Sequence, residues 1–341
     1  MNEANKPVVL VVDDAAESID VARGALGQQF QVKAAINGAK ALEIAAQHTP
    51  DLILLDVMMP DMSGYEVCRR LKADYTTSHI PVIFVTTLSD SENEGQGLEL
   101  GAVDYVTKPY VPSLLRSRVR THVALHRQQI ILEQIVKIRT AELLETRLEI
   151  IRRLGRAAEY RDNETGMHVL RMSHISRTIA LGSGMREERA ELILQASPMH
   201  DIGKLGVPDR VLLKPGKLDD EEWEVMKRHS RIGAEIIGEH PSDLLVLARM
   251  VALRHHERWD GTGYPDGLLG EEIPVEARVV ALADVFDALL SVRPYKLSWT
   301  IPNALEFIRE QSGKHFEPRM VNALLSRLDE CLAIRERYAD L

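Results

Sequence analysis

The chain has 341 residues, 45% of them hydrophobic and 27% charged, so it can bury cores for about two domains and is not generally disordered. Its 42 Lys and Arg residues and 51 Asp and Glu residues give a formal charge of −9, which argues against a nucleic-acid coat protein. Two cysteines, Cys68 and Cys331, are too few for a disulfide framework and indicate a reducing compartment. The longest early apolar run, Val8–Val12, is too short to span a bilayer, so we expect a soluble, cytoplasmic protein.

The charge is distributed in three blocks along the chain. An acidic N-terminal block, residues 1–110, has a net charge of −8; it is followed by a basic stretch of net +6 and a second acidic block of net −7. This pattern predicts two domains and a connector, which we place at residues 1–125, 161–341 and 126–160 respectively.

Within the first block, five short apolar runs alternate with segments of helix length. The predicted strands are Val8–Val12, Gln31–Ala35, Leu52–Leu55, Val82–Val85 and Val103–Val106. Apolar strands that alternate with helices predict an α/β doubly wound fold, with a five-stranded parallel sheet covered on both faces. Ligands of such sheets bind beyond the carboxyl ends of the strands.

Unusual polar residues lie at those strand ends. They are Asp13 and Asp14 after the first strand, Asp56 and Thr86 at the third and fourth, and Lys108 after the fifth. Three carboxylates that lie together repel one another unless a cation is present, and all-oxygen ligands suit Mg²⁺. A carboxylate beside Mg²⁺, with a lysine and a hydroxyl aimed at the same point, can attack phosphorus and stabilise the acyl phosphate.

This first block resembles the receiver domain of two-component response regulators, a flavodoxin-like fold, over roughly its first 125 residues. The matching segments are VVDD (11–14), LLDVMMPDMSG (54–64), VTT (85–87) and KP (108–109). The resemblance implies that Asp56 accepts a phosphoryl group from a cognate histidine kinase.

The resemblance also implies roles for the neighbouring residues. Asp14 and Asp56 would hold Mg²⁺ directly, and Asp13 would place a metal-bound water. Thr86 and Lys108 would contact the phosphoryl group. Tyr105 would repack with Thr86 as a switch; an ordinary half-buried aromatic is an equally good interpretation of Tyr105.

The connector has the composition of a long helix. Residues 113–160 include one glycine, Gly155, and no proline, and apolar residues recur at helical spacing, as in Ile131, Ile135 and Ile138. A lone helix of this length would expose that stripe, so we favour a homodimer through the linker helix, in a coiled coil with an interrupted heptad. The alternative is a solvated helix that only spaces two domains.

The sequence of the second acidic block predicts an almost entirely helical domain. Its histidines are the candidate metal ligands. Glu164 and His168 are four residues apart, which places both on one helical face, as in helices that offer two metal ligands. His200 and Asp201 are adjacent, and so are His255 and His256.

Two further ligand candidates lie on predicted helices. Asp284 lies in the apolar segment ALADVFDALL, where an unpaired carboxylate would be costly. His229 ends a helix that we predict to open with the capping box Asp219–Glu222. Imidazole and carboxylate ligands without thiolate favour Fe or Mn, with Zn, Ni or Co as alternatives in vitro.

The loop HHERWDGTGYP (255–265) follows two of these candidates directly. Its glycines at 261 and 263 allow the backbone to approach a substrate closely. The alternative is a plain surface turn in which Tyr264 packs on the domain.

This second block resembles the HD-GYP subgroup of the HD phosphohydrolase superfamily, an all-α fold, over about residues 148–335. The matching segments are AAEYRDNETGMH (157–168), HDIGK (200–204), LLKPGKL (212–218), MKRH (226–229), HHERWDGTGYP (255–265), ADVFDAL (283–289) and RPYK (293–296). Members of the subgroup hydrolyse cyclic di-GMP, so the resemblance implies a metal-dependent phosphodiesterase that yields pGpG, GMP or both.

The resemblance assigns residues to the metals and to the substrate. The implied metal ligands are His168, His200, Asp201, His229, His255, His256 and Asp284, and Glu164 matches the extra carboxylate of members with a third metal. The positions that match nucleotide contacts are Lys204, Tyr264, Arg293 and Lys296. We therefore expect two or three Fe or Mn ions, with His200, Asp201 and Lys204 as the catalytic residues.

Several alternatives compete with a regulated phosphodiesterase. A DNA-binding response regulator needs a reader domain after the connector, but the second block is acidic, so we expect no nucleic-acid partner. A different HD hydrolase, acting on (p)ppGpp or dNTPs, would not need the GYP loop. A module that binds cyclic di-GMP without turnover, or that docks a diguanylate cyclase through the GYP loop, stays open as the third alternative.

Overall fold

The computed structural model describes residues 6–87, 94–162, 166–291 and 298–339. The predicted site residues Glu164, Arg293 and Lys296 lie outside these described residues. The chain divides into two compact units, Met1–Thr140 and Ala141–Leu341. None of the helices in the described ranges combines the length and the apolar character that a bilayer crossing requires.

The first unit is built on a five-stranded parallel sheet. Its strands are β1 (Val8–Val12), β2 (Gln31–Ala35), β3 (Leu52–Asp56), β4 (Val82–Thr87) and β5 (Asp104–Lys108), in the order β2-β1-β3-β4-β5. Every neighbouring pair is parallel. The predicted doubly wound fold is confirmed, and the change in strand order at β1 and β3 marks the ligand-binding edge.

Helices cover both faces of this sheet. They are α1 (Ala16–Leu26), α2 (Gly38–His48), α3 (Gly64–Ala73), α4 (Glu94–Glu99) and the start of α5 (Pro112–Arg161). Alternate residues of β1 enter opposite cores: Val9 packs with Ile19 of α1 and Leu115 of α5, whereas Leu10 packs with Val67 of α3. The period of two is the reason that one apolar strand serves two layers.

Helix α5 has 50 residues, so the predicted long helix is confirmed. Its beginning buries Leu115, Val119 and Val123, and its end buries Ile151 and Ala158. Between these ends the helix exposes large apolar side chains to at least a third of their surface, namely Leu125, Ile130, Ile131, Leu132, Ile135, Val136, Ile138, Leu143, Leu144, Ile150 and Leu154.

Helices build the second unit. They are α6 (Gly166–Gly182), α7 (Glu187–Ala196), α8 (Asp209–Leu212), α9 (Asp220–Lys227), α10 (His229–Ile237), α11 (Asp243–Arg254), α12 (Val275–Leu290), α13 (Ile301–Glu310), α14 (Pro318–Ser326) and α15 (Leu328–Arg337). Short 3₁₀ turns cover Ser197–Met199, Ile202–Gly206 and Gly270–Glu272. Met172 of α6, Ala248 of α11 and Phe286 of α12 lie in the main apolar core.

The structure corrects the predicted place of His229. Helix α9 does begin with the capping box of Asp219 and Glu222, but it ends at Lys227, and His229 is the first residue of α10. The His229 ring is held at this turn by the carbonyl of Met226, with 2.7 Å between Nδ1 and the oxygen. His229 therefore points from the start of a helix instead of from its end.

Candidate functional site

Three aspartates and one lysine meet at the carboxyl edge of the sheet. Each of Asp13, Asp14 and Asp56 offers an oxygen, and these oxygens lie within 4.8 Å of one another. The ammonium of Lys108 lies 2.7 Å from Asp13 Oδ2 and 2.6 Å from Asp56 Oδ2. The cluster has the oxygen donors that a hard cation such as Mg²⁺ prefers, so the residues fit the implied ion.

The electrostatics of this edge depend on burial and on the lysine. Burial raises the pKa of Asp56, and the hydrogen bond from Lys108 opposes that shift only in part. Burial would lower the pKa of Lys108, but Asp13 and Asp56 raise it above its usual value. The lysine therefore keeps its charge beside the carboxylate that is predicted to accept the phosphoryl group.

Backbone packing explains part of the motif after Asp56. A Cβ atom on Gly64 would lie 2.2 Å from the Asp56 carbonyl oxygen, so only glycine fits there. Thr86 is buried, and Tyr105 is half-buried; both line one narrow pocket together with Phe84 and Tyr65. The shared pocket of Thr86 and Tyr105 is compatible with both interpretations of the tyrosine.

In the second unit, the histidines from four separate stretches form one continuous cluster. The ring centroids of His168 and His200 are 6.1 Å apart, and those of His200 and His255 are 5.2 Å apart. His256 lies 3.9 Å from His255 and 4.9 Å from His229. Residues that are far apart in the sequence therefore meet in one pocket.

Asp201 lies between the two halves of this cluster. Its Oδ1 is 3.3 Å from His229 Nε2 and 3.5 Å from His255 Nε2, whereas its Oδ2 is 3.3 Å from His200 Nε2. On the far side, Asp284 Oδ1 lies 3.2 Å from His168 Nε2. The structure thus brings together seven of the predicted ligands, and the two oxygens of Asp201 face different histidines.

Hydrogen bonds at Nδ1 orient the histidines. The Nδ1 atoms of His200 and His255 lie 3.1 Å from the carbonyl oxygens of Ser197 and Val251, and His229 Nδ1 bonds to the Met226 carbonyl. A carbonyl only accepts, so Nδ1 carries a proton, and Nε2 is the atom that can bind a metal. The Nε2 atoms of His200, His229 and His255 are buried without a hydrogen-bond partner in the described part of the chain. Such atoms suit a divalent cation, so the pocket fits metal binding.

Charge states in one half of the pocket also favour cations. Burial lowers the pKa of His229 to about 4 and lowers the pKa of His256 well below its usual value, so both rings are neutral ligands. Burial would raise the pKa of Asp201, but Lys204 and His200 hold it well below its usual range. This half therefore offers neutral imidazoles and an ionised carboxylate at neutral pH.

Lys204 is held beside the metal pocket by two carboxylates. Its Nζ lies 2.8 Å from Asp201 Oδ2 and 2.6 Å from Asp162 Oδ2. The preceding Gly203 permits the close packing of this turn on α10, because a Cβ there would lie 1.8 Å from the His229 carbonyl oxygen. A cationic donor is therefore fixed at the edge of the pocket.

The GYP loop packs against the same pocket. Tyr264 stacks on His256, with 4.7 Å between ring centroids, and burial raises the pKa of its hydroxyl, which stays neutral. Buried Glu257 shapes the loop, because it accepts the backbone N–H groups of Asp266 and Leu268 at 3.0 Å. A Cβ on Gly263 would lie 2.3 Å from the Arg258 nitrogen, so the backbone approaches closely at this point.

Sequence reasoning missed three acidic residues around the pocket. Asp287 accepts from His168 Nδ1 at 2.8 Å, Asp162 holds Lys204, and Glu159 lies within ligand distance of His168 and His200. The i, i+3 spacing from Asp284 could have indicated Asp287, since both lie on one face of an apolar helix. No comparable spacing pointed to Glu159, which lies nine residues before His168 in the sequence.

A sheet edge with a phosphoacceptor arrangement and a helical histidine–aspartate pocket define a signalling receiver joined to a metal-binding domain. The response regulator receiver domain model matches residues 9–120, and the HD domain model matches residues 139–320. The chain belongs to the family of response regulators that join a receiver domain to an HD domain.

Named relatives cover much of the chain. A probable cyclic di-GMP phosphodiesterase of Vibrio cholerae is 40% identical over 361 residues, which span 100% of this chain and 82% of the relative. The cyclic di-GMP phosphodiesterase response regulator RpfG of Xanthomonas campestris is 46% identical over 282 residues, 81% of this chain and 75% of the relative. The 3'3'-cGAMP-specific phosphodiesterase 2 of Vibrio cholerae is 44% identical over 199 residues, 58% of this chain and 38% of the relative.

Proposed function

We propose that the chain is a cyclic di-GMP phosphodiesterase of the HD-GYP type, regulated by phosphorylation of Asp56. The observation that carries this proposal is the position of Asp201 between two groups of histidines, with Lys204 beside it. The names of the two relatives that span most of the chain support cyclic di-GMP as the substrate. The proposed cofactors are two or three Fe or Mn ions, and Mg²⁺ in the receiver.

The pocket residues have two proposed roles in phosphodiester hydrolysis, which are to bind the metal ions and to stabilise negative charge. Bound cations would polarise the phosphoryl group and acidify a water. The side chains of His168, His200, Asp201, His229, His255, His256 and Asp284 would hold these cations. Lys204 supplies positive charge at the pocket edge, where the non-bridging phosphoryl oxygens gain charge during the reaction.

Residues around the pocket are proposed to bind and orient the substrate. Tyr264, neutral and stacked on His256, can donate a hydrogen bond to a phosphate or ribose oxygen. Arg293 and Lys296 are proposed phosphate partners on the basis of the resemblance alone, and Glu164 is likewise proposed as a ligand of a third metal. The GYP loop is also the proposed docking site of a diguanylate cyclase.

A second copy of the chain is the proposed partner of helix α5. Val136, Leu143 and Ile150 recur every seven residues, and each is about half exposed or more. Sedimentation velocity of L143E against the unaltered chain tests this proposal. We expect a dimer that L143E weakens, and a monomer in both samples would contradict it.

The proposed phosphoryl donor is a cognate histidine kinase, and the proposed location is the cytoplasm. The receiver edge with Asp56 supports the kinase as the phosphoryl donor. Cys68 and Cys331 are both free thiols and both buried, which supports a reducing compartment.

The central test is anaerobic purification, metal quantification and chromatography of the products formed from cyclic di-GMP. We expect bound Fe or Mn and conversion to pGpG, GMP or both. H200A and D201A should abolish cleavage, whereas D56A should keep the basal rate and lose labelling by acetyl phosphate.

A parallel reaction with 3'3'-cGAMP tests the substrate assignment, because one relative is named for that dinucleotide. Faster turnover of 3'3'-cGAMP than of cyclic di-GMP would change the proposed substrate. Tight metal binding with neither substrate cut would favour a binding-only module.

A further inference from the structure

Glu159 lies in the last turn of α5, inside the second unit, and is 1% exposed. One of its carboxylate oxygens forms a group with nitrogens of His168 and His200, all within 4.8 Å of one another. This half of the pocket is distinct from the group of Asp201, His229, His255 and His256. Glu159 therefore adds a carboxylate to the half of the pocket that contains His168 and His200.

The backbone around Glu159 is fixed to the neighbouring ligand segment. Arg161, two residues further along, donates to the carbonyl oxygens of Lys204 and Val207, each at 3.1 Å. Ala158 is fully buried beside it. These contacts attach the end of α5 to the turn that follows His200 and Asp201, so Glu159 reaches the pocket from a rigid element.

The side chains of Glu159, His168 and His200 form a donor set that suits a particular class of metal ion. Two imidazoles and one carboxylate with open positions are the donor set of many ferrous sites. His168 Nδ1 bonds to Asp287, and His200 Nδ1 bonds to the Ser197 carbonyl, so both rings present Nε2 to the pocket. A cation bound by the two imidazoles would lie within reach of the Glu159 oxygen, so this carboxylate can complete the donor set.

We propose that Glu159 is a direct carboxylate ligand of the cation held by His168 and His200. The inference rests on the metal-dependent function proposed above, but it does not depend on the identity of the substrate. It adds a ligand from the connector helix to a site whose other ligands all follow residue 163.

The test is Mn²⁺ binding by the full chain, measured by equilibrium dialysis and by thermal unfolding with and without metal. E159Q keeps the size of the side chain and removes the charge. E149Q is the matched control, since Glu149 lies on the same helix, pairs with Arg153 and is partly exposed. We expect E159Q to bind one Mn²⁺ at least 10-fold more weakly, or to lose one equivalent, and E149Q to match the unaltered chain.

Thermal unfolding separates a ligand from a purely structural residue. A structural role would lower Tm equally with and without Mn²⁺, whereas loss of a ligand reduces the Mn²⁺-induced gain in Tm. Should E159Q fail to unfold cooperatively, E159D takes its place, because it keeps the charge and shortens the reach. Unchanged Mn²⁺ content and an unchanged gain in Tm in the folded variant would overturn the inference.

The result is separable from the proposed function. None of these measurements uses a cyclic dinucleotide. Weakened Mn²⁺ binding in E159Q, together with an unaltered chain that cuts no cyclic dinucleotide, would support Glu159 as a ligand and reject the phosphodiesterase.

Discussion

Asp287 connects a metal ligand to the C-terminal part of the chain. Its Oδ2 lies 2.8 Å from His168 Nδ1, and its carboxylate also accepts from Arg171 Nε at 3.0 Å and from Arg335. The side chain is fully buried. A carboxylate that bonds to the distal nitrogen of a metal-binding histidine fixes the ring orientation and makes the ligand more basic.

We expect D287N to weaken metal binding at His168 by about 10–100-fold. The amide can hold the ring nitrogen, but it cannot balance the charges of Arg171 and Arg335. Competition for Mn²⁺ against a chelator of known affinity measures the effect. D243N, at an exposed position on α11, is the control. Equal affinity in both variants would show that Asp287 serves only the fold.

The metal-free protein should lose stability as the pH rises, whereas its affinity for metal should increase. In the metal-free pocket, burial opposes a charge on His200, but Asp201 raises its pKa to about 9, and acidic neighbours raise the pKa of His168 as well. Raised folded-state values stabilise the metal-free protein below the unfolded pKa of about 6.5, and this stability is lost as the pH rises towards 9. A cation must displace those protons, so metal affinity should increase over the same range.

Thermal unfolding at about pH 6.5 and about pH 8.5 checks both trends. Tm of the metal-free chain should fall between the two values, and the Mn²⁺-induced gain in Tm should grow. A gain that shrinks with rising pH would contradict the assignment of His168 and His200 as ligands that start out protonated.

Single site residues can be inferred from the sequence where they are adjacent or lie at a regular helical spacing. His200 with Asp201 and His255 with His256 are neighbours in the chain, so their shared site could be inferred. Glu159 could not be found, because its place depends on how the end of α5 packs. The ADVFDAL segment contains two carboxylates, and only the fold shows that Asp284 faces the pocket while Asp287 lies behind His168.

Among the elements, the end of α5 packs closely on the turn before His200. Gly155 is the only glycine in the helix, and a Cβ there would lie 2.1 Å from the Pro198 carbonyl oxygen. Backbone atoms cannot yield as a flexible side chain does. The glycine that interrupts the connector is therefore required by packing, despite its low helix propensity.

We expect G155A to destabilise the second unit by about 1–3 kcal/mol through overpacking. G24A is a matched control, since Gly24 also lies inside a helix and a Cβ added there would meet no atom within 4 Å. That substitution should stabilise the first unit by up to about 1 kcal/mol. Denaturant unfolding of both variants measures the difference, and equal effects would contradict the packing argument.

The regular elements are more predictable than their exact ends. Alternation of apolar strands with helical segments predicted all five strands, because two-sided burial leaves a continuous apolar run. The fifth strand is displaced towards its C-terminus and reaches Lys108, since Lys108 pairs with Thr87 in the parallel register. Such pairing depends on the neighbouring strand and leaves no local signal.

For the whole molecule, the central expectation is that the phosphorylated receiver changes the hydrolysis rate. Beryllofluoride mimics the phosphoryl group on Asp56, and D56A is the control that cannot respond. Rates of cyclic di-GMP hydrolysis and sedimentation coefficients should be compared with and without the mimic. We expect a difference in rate, in oligomeric state or in both; if neither changes, the coupling is rejected.

The charge blocks indicate two domains, because the two acidic blocks lie in different compact units, Met1–Thr140 and Ala141–Leu341, and the basic block spans the boundary between them. What the sequence could not indicate is that α5 contributes to both cores, through Leu115 in one unit and Ile151 in the other. A composition typical of a solvated connector conceals such contributions, since only a few of its residues are buried.

The contacts of Asp287 also set an order of events during synthesis. The first unit needs only its sheet, which ends at Lys108, and the start of α5, which buries Leu115 and Val123, so that unit can fold early. The pocket around His168 must wait far longer, because the groups that hold Arg171 and Asp287 include Arg335 and the Tyr338 carbonyl. During synthesis the receiver would therefore fold while the contacts of Arg335 and Tyr338 with the pocket are still missing. We expect cations to bind only after these residues have been translated.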